Sequence, residues 1–189
     1  FSLSLLSLNV LAASKVHLDH ADTDIMDRAS LQNGAKLFMN YCSGCHAISF
    51  MRYNRIGSDL GLSDELITKN LMFAGNKPGE PMVTAMPENA ASKWFGGVPP
   101  DLSLVARSKG TDWIYTYLRS FYEDESRIFG VNNKVLVNAS MPDALWSLRK
   151  DQSEAEFDNS VRDITNFLDY VGEPAKLIRL QLGKWVLLF

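Results

Sequence analysis

Apolar positions along the chain recur mostly at helical spacing. Leu31, Ala35, Leu37, Phe38 and Tyr41 follow Ser30 at intervals near 3.6 residues, which predicts an amphipathic helix with that serine as its N-cap. Residues 62–73 open with Ser63 as cap and Glu65 in the first turn, and a Gly-Asn-Lys-Pro-Gly run from Gly75 ends this second helix. Residues 101–106 and 112–122 read as further helical pieces, the second capped by Asp112 and bearing an aromatic face of Trp113, Tyr117 and Phe121. Residues 153–171 set Val161, Ile164, Phe167, Leu168 and Val171 on one stripe, closed by Gly172 and Pro174. Between these lie a polar, acidic lead-in at 15–27, an Asn-rich loop at 123–139, and a mostly loop segment at 78–100 that holds five of the seven prolines. With no long strand pattern and no internal repeat, the fold class is mainly α. Gly34 offers a bare surface on the first helix, on which Phe167 or Tyr170 of the last one is expected to sit.

Both ends of the chain depart from this pattern. Residues 1–13 are uncharged and Leu-rich, and the small residues Ala12, Ala13 and Ser14 follow, so 1–14 are expected to be the remnant of an export signal. That run is too short to span a bilayer, which takes ~20 apolar residues. At the other end the chain rises into Trp185-Val186-Leu187-Leu188-Phe189. Residues 175–189 are expected to begin a C-terminal transmembrane anchor, with Leu177, Ile178, Leu180 and Leu182 at the interface and Arg179 and Lys184 as snorkelling cations. Residues 15–174 remain as one domain.

Composition narrows the chemistry. The 189 residues, 46% of them hydrophobic, can bury a core without staples, so the two cysteines are free for other work. A net charge of -3 without any Lys/Arg run argues against nucleic-acid binding, which needs a basic stripe. Acidic side chains at Glu123, Asp124 and Glu125 and along 151–158 could instead steer a basic partner.

Cys42-Ser43-Gly44-Cys45-His46 is the C-x-x-C-H signature of c-type haem attachment. Two thiols three residues apart can bond to the two vinyl groups of a porphyrin, while the adjacent imidazole holds the iron. Zinc would need four ligands, and only His17 and His20 remain. A thioredoxin-like pair would follow a strand, whereas the preceding segment here is helical. The sixth iron position suits a thioether, which raises the reduction potential. Among seven methionines, Met86 and Met141 stand out, each in a loop and each before a proline; chain geometry leaves both open.

The order of Gly34-Ala35-Lys36-Leu37-Phe38, the haem signature, Met51-Arg52-Tyr53, Pro99-Pro100-Asp101-Leu102-Ser103, Ala106-Arg107, Met141-Pro142 and the late apolar end resembles the cytochrome c1 family. In its bacterial form this is the haem subunit of ubiquinol–cytochrome c reductase. The resemblance implies one covalent haem c on Cys42 and Cys45, His46 as proximal ligand and Met141 as distal ligand. It further implies Arg107 near a haem propionate, Pro100 at the haem edge, and Trp113 as an apolar haem wall, at a position often Tyr in the family. Implied partners are a Rieske iron–sulfur protein, cytochrome b and a cytochrome c acceptor, in the bacterial inner membrane with the haem domain facing the periplasm. The implied activity is one-electron relay, with no quinol chemistry on this chain. A c-type carrier or ligand sensor, soluble or anchored, is the alternative; a haem peroxidase fits less well, since no second haem motif is present.

Overall fold

A computed structural model describes residues 16–189. The expected export signal at 1–14 lies outside the described residues. The chain runs α1 (Arg28–Tyr41), β1 (Ile48–Arg52), α2 (Tyr53–Leu60), α3 (Asp64–Asn70), β2 (Pro81–Met82), α4 (Glu88–Phe95), α5 (Val105–Lys109), α6 (Thr111–Arg119), β3 (Phe121–Glu123), β4 (Val131–Asn133), α7 (Trp146–Asp151), α8 (Glu154–Gly172) and α9 (Lys176–Leu188). It is mainly helical, as the periodicity predicts.

The core is centred on the crossing of α1 with α8. Phe38 meets Phe167 with ring centroids 5.7 Å apart, and Phe167 in turn meets Tyr170. Leu31, Val161, Ile164, Phe167 and Tyr170 are all buried, and burying one such side chain is worth ~1.5–3 kcal/mol. Gly34 sits at the crossing as expected: a Cβ there would fall 2.7 Å from Phe167 Cβ and inside the contact distance of the Asp163 carbonyl oxygen. Beside it, Ser30 Oγ and Asn33 Nδ2 donate to the two carboxylate oxygens of Asp163 at 2.7 and 2.8 Å. The helices therefore meet at van der Waals contact and are joined by a buried polar cluster.

Helix starts follow the expected chemistry with two corrections. Ser153 caps α8 in a capping box with Glu156, and Ser63 caps α3. The N-cap of α1, however, is Asp27, whose carboxylate accepts from Ser30 N–H at 3.0 Å; the Ser30 hydroxyl is drawn instead to Asp163. At α6 the N-cap is Gly110, with φ 90°, and Asp112 lies in the first turn, where it accepts from Ala21 N–H at 2.9 Å. That bond pins the acidic lead-in against α6.

Four segments are more ordered than the sequence suggests. The 78–100 stretch carries β2, paired antiparallel to β1, and α4 with Trp94 and Phe95 at its end, closed by left-handed Gly96. The Asn-rich 123–139 stretch is partly a hairpin, since β3 and β4 pair Phe121 with Asn133 and Glu123 with Val131. Helices α2 and α7 were not expected at all.

Candidate haem site

The C-x-x-C-H segment is a tight turn built on the last turn of α1. Cys42 and Ser43 N–H both donate to Phe38 O, Cys45 and His46 N–H both donate to Cys42 O, and Ser43 Oγ donates back to Met39 O at 2.7 Å. Both thiols are free. Burial, and then the neighbouring Cys45, push the Cys42 thiol up to about 12, and burial raises Cys45 as well. A redox or metal-binding pair needs thiols shifted the other way, toward thiolate.

His46 is anchored by the main chain: its Nδ1 lies 2.8 Å from Pro100 O. A carbonyl can only accept, so Nδ1 carries the proton and Nε2 keeps a free lone pair. Burial lowers the pKa of the imidazole, against the opposing pull of the Pro100 carbonyl and the Asp101 carboxylate. The block around Pro100 is itself tied down. Asp101 accepts from Ser49 N–H at 2.9 Å and Ser103 N–H at 2.7 Å, Leu102 N–H donates to Ala47 O, and Phe50 N–H donates to Ser103 Oγ. Burial would raise the Asp101 carboxyl, but these hydrogen bonds outweigh it and hold the group below its usual range. The Pro-Pro-Asp-Leu-Ser block is thus the clamp that orients the histidine.

Met141 lies on a different support. It is half-buried beside α6, and the Tyr117 hydroxyl donates to its Sδ at 3.4 Å. Trp113 stacks on Tyr117 at 4.9 Å, and Phe121 meets that ring edge-on at 5.2 Å. Burial pushes the Tyr117 hydroxyl up to about 12, so it stays a donor. Behind Met141, Arg149 pairs with Asp143 at 3.3 Å and donates to the Leu118 and Arg119 carbonyls, which fastens α7 to the end of α6.

The other methionine candidate belongs to the side of the attachment turn. Met86 N–H donates to Thr84 Oγ1, which itself donates to Gly44 O at 3.0 Å. Met86 lines a cavity of about 390 Å³ together with Cys45, Ala47, Pro99 and Asp101. Arg107 is not joined to these groups by any hydrogen bond or ion pair among the described residues. Its exposed side chain lies 3.9 Å from Glu173 and packs on Gly172.

Residues 70–189 match the profile described as the Cytochrome C1 family. The chain belongs to that family. The matched stretch begins beyond the C-x-x-C-H turn, so the motif stands as a separate observation. A cytochrome c1 from Allochromatium vinosum is 46% identical over 92% of this chain and 82% of its own length. An ammonia monooxygenase gamma subunit from Nitrosomonas europaea is 42% identical, over 94% and 83% respectively. A cytochrome c1 from Rhodospirillum rubrum is 28% identical, over 86% and 76%.

Cytochrome c1 proteins carry one covalently bound haem c, and the residues of this chain fit that group. Two protonated free thiols three residues apart, an imidazole with its Nε2 lone pair free and a cavity lined by Cys45 beside the attachment turn suit covalent haem, while the Met141 thioether stands apart from that cavity's lining. Sequence reasoning passed over Asp101 and Tyr117 as contributors. The aromatic repeat at 113, 117 and 121 was visible, but only the fold brings Tyr117 to Met141.

Proposed function

We propose that this chain is the electron-transfer haem subunit of a cytochrome bc1 complex, taking one electron from a Rieske iron–sulfur protein and passing it to a cytochrome c. Cytochrome b is the further partner, and no bond of a substrate is made or broken on the chain. Cys42 and Cys45 are the thioether attachment points, His46 the proximal ligand and Met141 the distal one. The observation that carries this reading is the His46–Pro100 hydrogen bond, which leaves Nε2 as the only ring nitrogen able to bind iron. Met141 is preferred to Met86 because the family resemblance points to its Met-Pro step and because its sulfur is already oriented by the Tyr117 hydroxyl, so that it would be the thioether ready to hold the iron.

The bound haem would supply a one-electron iron centre whose potential its axial ligands set. The protein's own part is positional: Pro100 orients the imidazole, Trp113 walls the site, and Arg107, held only loosely to Glu173, can turn to a propionate. Within the acidic surface Asp158 is paired with Arg119, whereas Glu123, Glu125, Asp151 and Glu154 are exposed and can face a basic acceptor.

The membrane part of the reading rests on α9, where Trp185, Val186, Leu187 and Leu188 are exposed. Among the described residues no helix is long and apolar enough to cross a membrane. The thirteen residues of α9 reach ~20 Å, short of the ~30 Å hydrocarbon thickness. We read it as the start of an anchor that holds the haem domain on the periplasmic side of a bacterial inner membrane.

The test is made on the chain matured with haem in a bacterial host. Haem that stays with the denatured polypeptide, a ferrous form that does not bind carbon monoxide, and oxidation by a basic cytochrome c at a rate that falls with ionic strength are expected. Extractable haem refutes covalent attachment. Rapid carbon monoxide binding would instead indicate an open sixth site and the ligand-sensor alternative.

A further inference from the structure

We propose that Tyr117 is a positioning residue for the distal ligand: its hydroxyl, bonded to Met141 Sδ, selects the lone pair the thioether presents to iron and raises the reduction potential. The inference rests on Met141 being that ligand. A thioether sulfur has two lone pairs, and a donor held on one of them leaves the other for a metal. The donor here is held firmly. The Tyr117 ring is fixed on one side by Trp113, stacked within 7° of parallel, and on another by the edge of Phe121. Its main chain is fixed too, since Asn133 Nδ2 donates to Tyr117 O at 2.8 Å.

Tyr117 itself is buried at 8% exposure, so water cannot readily replace the sulfur as acceptor. Among the described residues Met141 Sδ is the partner recorded for this hydroxyl, at 3.4 Å. A proton donor on the sulfur withdraws electron density from it and weakens its donation, and ferric iron loses more by this than ferrous iron. The consequence is a higher potential. Met141 also sits next to Pro142, whose restricted backbone limits how far the loop can shift to escape the bond.

The experiment compares the haem-loaded full chain with Tyr117→Phe, which keeps the aromatic stack and removes only the hydroxyl. Tyr117→Phe should retain the near-infrared band of thioether-to-ferric-iron coordination. At a fixed ambient potential near the midpoint its oxidised-to-reduced ratio should rise roughly twofold to tenfold, the range that a net hydrogen bond spans. An unchanged midpoint with the band intact would overturn the proposal. Met141→His separates the two layers of the argument. If it leaves band and midpoint unchanged, the ligand assignment itself fails; if it lowers the potential while Tyr117→Phe does nothing, only the role of Tyr117 fails. Should Tyr117→Phe not accumulate with haem, resonance Raman of the wild-type protein decides. Transfer into D2O must shift the iron–sulfur vibration if an exchangeable proton sits on the sulfur, and no shift refutes the proposal.

Discussion

Replacing Gly34 by alanine adds one methyl group at the tightest point of the fold. An ordinary Cβ contact lies at 3.4–4 Å, and the new atom would sit 2.7 Å from Phe167 Cβ and closer still to the Asp163 carbonyl oxygen. Neither neighbour can swing aside, because one is main chain and the other is the root of a fully buried side chain. Relief therefore requires α1 and α8 to part by something near an ångström. Parting stretches the bonds from Ser30 and Asn33 to Asp163, and the bond from Asn166 Nδ2 to Ser30 Oγ at 3.0 Å. Overpacking of a close-packed core costs ~1–3 kcal/mol, and each weakened hydrogen bond adds up to ~1 kcal/mol. Helix propensity works the other way, favouring alanine over glycine by ~1 kcal/mol.

The net expectation is a loss of ~1–3 kcal/mol for Gly34→Ala, and more for Gly34→Val. For a chain of this size that is roughly 2–12 °C in the thermal midpoint. Gly57→Ala is the comparison. There the added atom meets the terminal methyl of Ile67, the far end of a side chain, and the Leu62 carbonyl oxygen only at 3.0 Å, so a smaller loss is expected. Circular dichroism melts of the haem-loaded chains read both. A midpoint for Gly34→Ala equal to or above wild type, or a larger loss at position 57 than at 34, would refute the packing argument.

Arg119 bonds Asp158 through Nε at 2.6 Å and Nη2 at 2.9 Å, and reaches Asp19 through Nη1 at 2.8 Å. Arg119→Lys keeps the charge and loses the fork, so a destabilisation of ~1 kcal/mol is expected in denaturant melts; an unchanged midpoint would show that charge alone suffices. Asp112 is held below its ordinary value of 3.8 chiefly by Ala21 N–H, which outweighs the opposing desolvation, with a lesser contribution from His20. Because its folded pKa is depressed, its contribution is present above the unfolded value and is lost as pH falls through the folded one. The protection of the Ala21 amide, its exchange relative to the intrinsic rate at each pH, should fall below pH 3.8 in the wild type, and Asp112→Asn, which keeps the acceptor, should remove that dependence; equal protection across this range would refute the tether.

What the sequence made legible is what local chemistry determines. The haem signature was readable because covalent attachment requires those residue types at that spacing. Helix α8 was readable because the Ser153 capping box and the Val161–Val171 stripe lie within a single element. Helix α2 escaped because one of its four buried positions, Gly57, carries no side chain to mark the period of Tyr53, Ile56 and Leu60. Ser30 and Asp27 are equally good caps in isolation, and the choice between them is made by Asp163, far along the chain. The hairpin was hidden because Asn132 and Asn133 look like loop residues. Both are buried, and the Asn133 side chain is satisfied by Tyr117 O and by the Val135 and Leu136 N–H groups. Tertiary partners decide each of these cases, and periodicity does not record them.

The two supports of the site differ in kind. His46 is held by a main-chain carbonyl, and a proline at position 100 has a fixed φ and no N–H of its own, so that anchor depends little on which side chain stands there. The network behind it relies on side-chain acceptors: the Asp101 carboxylate takes the Ser49 and Ser103 N–H groups and Ser103 Oγ takes Phe50 N–H, while Leu102 N–H bonds Ala47 O. Met141 is held by the tip of one side chain, the Tyr117 hydroxyl, within an aromatic stack. Substitution can therefore adjust the distal side directly, through Tyr117, Trp113 or Phe121, while on the proximal side Asp101 and Ser103 act on His46 only through the main chain of the block that carries Pro100. With Met141 as the proposed distal ligand, the methionine side is then where a single side-chain change acts most directly on the group that would hold the iron.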